Sequence, residues 1–196
     1  MIRKSSYNRK TKETSIDLSL ELASAGDIKI ESGVPFFDHM LSSFARHGRL
    51  GLTLSCKGDT HIDDHHSVED IGICIGKAFA DALGSKEGIV RFGDAIVPMD
   101  DSLALAAVDL SGRGHFAYKG PELRGNISRY SEELTIEFLR AFAINAEMNL
   151  HVQVLNGDNR HHIHEAIFKA LGLALYKAVL TDPLIEGSVL STKGVI

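Results

Sequence analysis

The chain has 196 residues, 44% of them hydrophobic and 24% charged, with a formal net charge of −5. That length suits one domain, or two half-domains fused around a common core. The charge offers no general basic surface for nucleic acid, and no apolar run approaches the roughly 18 residues that cross a membrane. The start, Met1-Ile2-Arg3-Lys4-Ser5-Ser6, lacks the apolar stretch of a secretion signal. Cys56 and Cys74 sit in apolar stretches and read as reduced core thiols, so the expected location is cytoplasmic.

In chain order, alternation over residues 14–22 predicts a strand, with 27–31 as its hairpin partner. Pro35 opens a helix over 36–46 that Gly48 ends. A strand over 50–56 and a Gly58-Asp59 turn lead to a helix over 65–83, with Val68, Ile71, Ile75, Phe79 and Ala82 on one stripe. The order then returns. A strand over 102–110, alternating loosely at Leu103, Leu105 and Ala107, precedes a helix over 132–147 and a strand over 149–155. A Gly157-Asp158 turn leads to the last helix, over 161–179. The chain therefore divides into half-repeats 1–90 and 91–185 and a polar tail, 186–196, placed to close over a site. Strands preceding helices in each half predict an α+β fold.

The repeat carries chemistry. Asp64-His65-His66-Ser67-Val68-Glu69 and Arg160-His161-His162-Ile163-His164-Glu165 each open a long helix, 96 positions apart. Residues i and i+4 share a helix face, so His65 with Glu69, and His161 with Glu165, each suit one ion. His66 and His162 point about 100° away and address another ion. Counting back 24 residues from His161 reaches Glu137, and 26 from His65 reaches His39. The difference falls in a connecting turn, where length changes cost little. His39, His65, His66, Glu69, Glu137, His161, His162 and Glu165 thus make two sets of four donors, each leaving two positions open on an octahedral ion.

Other segments extend the pattern: Phe36-Phe37-Asp38-His39-Met40-Leu41, Arg46-His47-Gly48, Arg91-Phe92-Gly93-Asp94, Asp109-Leu110-Ser111-Gly112-Arg113 and Ser191-Thr192-Lys193-Gly194. With the two histidine clusters they span nearly the whole chain, and in this order the sequence resembles the imidazoleglycerol-phosphate dehydratases of histidine biosynthesis. The resemblance implies a duplicated half-domain with helices packed between two four-stranded sheets. It also implies two manganese ions per subunit and a 24-subunit shell with sites between subunits. The implied reaction is a hydro-lyase step, dehydration of D-erythro-imidazole glycerol phosphate to imidazole acetol phosphate. Glu137 departs from members that carry histidine there, but a carboxylate remains a competent manganese ligand.

The carbon proton removed in that reaction is poorly acidic unless the neighbouring imidazole accepts electrons, which a metal on the ring nitrogen favours. His39, His65, Glu69, His161 and Glu165 are the implied catalytic ligands. Glu13 alone reads as a solvated strand-end carboxylate; the resemblance makes it the substrate-contacting acid and candidate base. His47 is a candidate substrate contact. Arg91, Arg113, Lys169 and Lys193 are candidate phosphate cations, with Ser191 as a hydroxyl donor. Two rival readings use the same residues: a dinuclear metallohydrolase, which would release phosphate, and a metal-storage shell, which needs no cations near the metals. His61, His115, His151 and His164 carry no assigned role.

Overall fold

Apolar alternation builds the first sheet: in strand β2 (Thr14–Leu22), Ile16, Leu18, Leu20 and Leu22 point inward and are buried. The computed structural model describes residues 3–185, 187–194 and 196; Met1, Ile2, Glu186 and Val195, which belong to the first half-repeat and the tail, lie outside it. β2 pairs antiparallel with β1 (Arg3–Lys10) and β4 (Gly51–Gly58), and β3 (Ile28–Glu31) joins the far edge of β4 in parallel. The expected hairpin between 14–22 and 27–31 is therefore corrected. The chain crosses from β3 to β4 through helix α1 (Pro35–His47), the long connection that a parallel pair needs.

The second sheet repeats this plan with β5 (Phe92–Met99), β6 (Ser102–Asp109), β7 (His115–Lys119) and β10 (Asn149–Asn156), in the order β5-β6-β10-β7. A two-residue hairpin, β8 (Asn126–Ile127) with β9 (Tyr130–Ser131), precedes helix α3 (Leu134–Asn145). Helices α2 (His65–Leu83) and α4 (Arg160–Val179) follow β4 and β10. All four helices lie between the sheets, α2 against β1 and β2, α4 against β5 and β6. The fold is α+β.

Strands β1, β5 and β7 and the short β8–β9 pair were not anticipated, and two expected elements are adjusted. β1 turns Arg3, Ser5, Tyr7 and Arg9 inward, so it shows no apolar alternation. In β6 the buried residues are Ser102, Ala104, Ala106 and Val108, whereas Leu103, Leu105 and Ala107 are half-exposed. Small inward side chains let α4 lie close to the sheet, which reverses the phase that hydrophobicity alone suggests. α3 begins at Leu134 instead of 132, because Glu132 turns into the interior.

The helices cross between halves. α1, from the first half, packs on α4, from the second, and α3 packs on α2. Both crossings close on a glycine. A Cβ on Gly172 would stand 2.5 Å from the Phe44 carbonyl oxygen, and one on Gly76 would stand 2.8 Å from that of Phe142. The repeat is visible in single hydrogen bonds. Gly48 N–H donates to Phe44 O and Ala146 N–H to Phe142 O, both at 2.8 Å and 98 positions apart. That shift maps His39 onto Glu137.

Candidate metal centre and anion pocket

Helix α4 presents His161 and Glu165 one turn apart, with Nε2 and Oε2 separated by 3.3 Å. Its start is fixed by Asn159, whose side chain accepts from the His162 backbone N–H. The crossing of α1 brings His39 Nε2 to 3.6 Å from the same Glu165 oxygen. These three donors lie within 4.8 Å of one another. An ion bound at about 2.0–2.2 Å from each holds its donors roughly 3–3.5 Å apart, so two nitrogens and a carboxylate in this arrangement fit a divalent cation. Burial disfavours the charged form of Glu165. The hydrogen bond from Lys169 and the charges of Lys169 and His39 outweigh it and hold the carboxyl below its ordinary range.

The mirrored set is looser. His65 Nε2 lies 3.7 Å from Glu69 Oε2. Glu137, on α3, is held by Arg140 at 2.9 Å, and among the described residues only His39, His161 and Glu165 gather as a group of three donors.

The second histidine of each cluster turns away from these groups. His66 Nδ1 meets the Asp59 carboxylate at 3.1 Å, which raises the ring's proton affinity. His162 Nδ1 meets Asp101 Oδ1 at 2.6 Å, and its Nε2 lies 3.5 Å from Asp100. A carboxylate on Nδ1 fixes the ring and leaves Nε2 as the ligand atom. These three aspartates were missed in the sequence. Asp59 was visible only as a turn residue, and Asp101 occupies the place in half two that Glu13 holds in half one. Glu13 Oε1 lies 3.9 Å from His66 Nε2.

A buried polar chain supports the start of α4. His164 is 0% exposed, with Nδ1 2.8 Å from Thr135 Oγ1 and Nε2 3.4 Å from Glu132 Oε2. Arg160 completes it by pairing with Glu132 at 2.7 Å. Burial pushes the His164 imidazole down to about 4, so it is a neutral core residue.

The cations separate into two places. Arg91, Arg113, Ser191 and Lys193 line one cavity of about 580 Å³ together with Ser111. The tail forms one wall of it, tied down by Arg91 Nη1 donating to Leu190 O at 2.5 Å and Gly88 N–H to Ser188 O at 2.8 Å. Asp109 holds the Arg91 guanidinium at 2.7 and 3.2 Å. Lys169 lies elsewhere, 2.8 Å from Glu165 and against Met99. His47 ends α1 with Nδ1 on the Ser43 carbonyl at 2.9 Å.

Within one chain the cavity is remote from the metal donors. Arg91 N–H bonds to Ala178 O near the far end of α4, about 25 Å along that helix from His161 at 1.5 Å per residue. A small phosphate ester cannot touch both.

Residues 32–175 match the family model for imidazoleglycerol-phosphate dehydratase. Curated proteins of that name from Geobacillus thermodenitrificans and Desulforamulus reducens are 52% identical over 196 residues and 51% identical over 194. The first alignment covers 100% of both chains, the second 99% of this chain and 98% of the other. Among solved structures, the Staphylococcus aureus enzyme of that name superposes with a TM-score of 0.81 at 35% identity, covering 91% of this chain and 99% of that one. The Pyrococcus furiosus structure gives 0.83 at 35% identity, covering 97% and 100%. With both HHxxE helices in place, the chain belongs to the imidazoleglycerol-phosphate dehydratase family.

Proposed function

We propose that this chain dehydrates D-erythro-imidazole glycerol phosphate to imidazole acetol phosphate, a step of histidine biosynthesis, using two manganese ions per subunit. The crossing of His39 onto His161 and Glu165 carries the reading, because it assembles a cation site from both halves. The first ion is assigned His39, His161 and Glu165, and the mirrored one Glu137, His65 and Glu69. His66 and His162 supply the fourth ligand of each set from a neighbouring subunit. Bound ions supply Lewis acidity that favours the imidazolate form of the substrate ring.

The residues divide the remaining work. The carbon beside the ring loses its hydroxyl as water, pushed out by the electron-rich ring, and Glu13 takes the proton from the next carbon; the resulting enol tautomerises to the ketone. Of the two equivalent acids, Glu13 suits this role better. Asp101 accepts from the backbone N–H groups of Asn159 and Asp158 and from His162, which hold its carboxyl far below the ordinary range. Glu13 has a half-exposed side chain that no hydrogen bond among the described residues ties down.

Arg91, Arg113 and Lys193 grip the substrate phosphate as a handle that is never transferred. The 25 Å separation along α4 supports the expected shared site. The cavity of one subunit faces the metal donors of another, in an assembly such as the 24-subunit shell. No helix among the described residues is long and apolar enough to cross a membrane.

The test is an assay of manganese-loaded protein that follows the ketone and inorganic phosphate together. Ketone formation with every phosphate still esterified supports the dehydratase. Phosphate release in step with turnover would give the site to a hydrolase.

A further inference from the structure

Glu13 and Asp101 stand at the same point of the repeat. Strands β2 and β6 correspond with a shift of 88 positions, and each acid ends the turn before its strand, beside the second histidine of an HHxxE helix. They are held by different means. Helix α4 grips the Asp101 carboxylate directly, as described above. Glu13 is gripped by its backbone: its N–H donates to Thr11 Oγ1 at 3.1 Å, and its carbonyl accepts from Asp59 N–H at 3.1 Å. The Thr11 hydroxyl also takes the Thr14 N–H at 2.9 Å. Thr14 Oγ1 then donates to Asp70 Oδ2 at 2.5 Å, and the other Asp70 oxygen meets Arg9 at 3.0 Å.

Asp70 is 7% exposed, one residue after Glu69 on α2. A buried carboxylate is costly unless it is paired and hydrogen-bonded. The repeat shows that the fold does not require one here. The counterparts of Arg9, Thr14 and Asp70 in the second half are Val97, Ser102 and Ala166, all buried. The polar trio exists only in the half whose acid is not held by its own carboxylate.

We propose that Asp70, acting through Thr14, is a positioning residue for Glu13: it locks the β1–β2 turn to α2, so that a free carboxylate keeps a fixed place beside His66. The proposal rests on Glu13 being the proton acceptor. It assigns Asp70 no contact with substrate or metal.

Two variants test it in the assembled, manganese-loaded enzyme. Asp70→Asn keeps the size and removes the charge; Thr14→Val keeps the shape and removes the donor. Each should lower kcat about tenfold or more while KM stays within about twofold, as expected when a reacting group is misplaced. Bound metal and the melting temperature of the assembly, measured alongside, should change little for Thr14→Val. In a Glu13→Gln background neither change should lower kcat further. Equal fold-losses in both backgrounds would overturn the relay and leave Glu13's role standing. If Glu13→Gln itself leaves kcat unchanged, both the relay and the base assignment fall. Should Asp70→Asn fail to fold, Thr14→Val decides alone, and full kcat in that variant overturns the proposal.

Discussion

His39 Nε2 and Glu165 Oε2 lie 3.6 Å apart although they belong to opposite halves of the chain. Neither half alone contains this pair, so the candidate metal centre depends on how the helices cross as much as on which residues they carry.

Removing His39 should therefore affect one ion and spare the other. His39→Ala is expected to reduce bound manganese from two per subunit to one. Metal analysis after equilibrium dialysis measures this, and two tightly bound ions in the variant would contradict the assignment.

The crossing itself can be disturbed from a distance. A side chain on Gly172 meets the Phe44 carbonyl, and α1 must move to admit it. Gly172→Val should cost about 1–3 kcal/mol through overpacking. It should also weaken metal binding, because His39 rides on α1. Thermal unfolding and a metal titration together check both effects.

Arg113 should matter only for the phosphate. Charge-assisted hydrogen bonds are worth roughly 1.5–3 kcal/mol, so Arg113→Ala should raise KM about tenfold or more. A substrate analogue lacking phosphate should bind weakly and be nearly indifferent to the substitution. Competition kinetics on both proteins would show this.

If ligands come from neighbouring subunits, chelation removes the ties between them and leaves clustered donors that repel. Light scattering before and after chelator should show the large assembly breaking into smaller units that recover on adding manganese. A particle size indifferent to chelation would place each site within one chain.

Cys74 is buried, and burial pushes its thiol up to about 12 from an ordinary 9.0. The folded state thus holds its proton more tightly than the unfolded state. Its contribution to stability is complete below about pH 9 and is lost as the pH rises from there through 12. Denaturant melts between pH 8 and 11 should show the decline, with Cys74→Ala flatter. Native protein should also resist thiol reagents at neutral pH.

The four helices and the strands β2, β4 and β10 were legible because their apolar periodicity is strong, whereas β6 was placed with its two faces exchanged. β1 and β5 were not. β1 lines its inner face with Arg3, Ser5, Tyr7 and Arg9, and β5 lines its own with Gly93, Ala95 and Val97, small side chains that admit α4. The partner of 27–31 was misassigned because proximity in sequence favours a hairpin, whereas α1 supplies a crossover. In the site, the duplicated HHxxE and the equivalence of His39 with Glu137 could be counted from spacing. The aspartates behind His66 and His162 could not. A carboxylate in a turn looks solvated until the fold brings a ring to it. The gathering of Arg91, Arg113 and Lys193 in one cavity depends on the tail folding back over the start of β5, which no local pattern encodes.

The exchange of helices between halves also bears on origin. A half-length chain would leave its first helix without the partner that α4 gives α1, yet two copies would complete each other by the same trade, as a twofold dimer. Joining them through residues 84–91 turns an encounter between molecules into one within a chain, at an effective concentration on the order of millimolar for a short linker. Fusion also frees the copies from identity. Glu137 opposite His39, Asp101 opposite Glu13 and Ala166 opposite Asp70 are differences that a symmetric dimer of one gene product cannot hold.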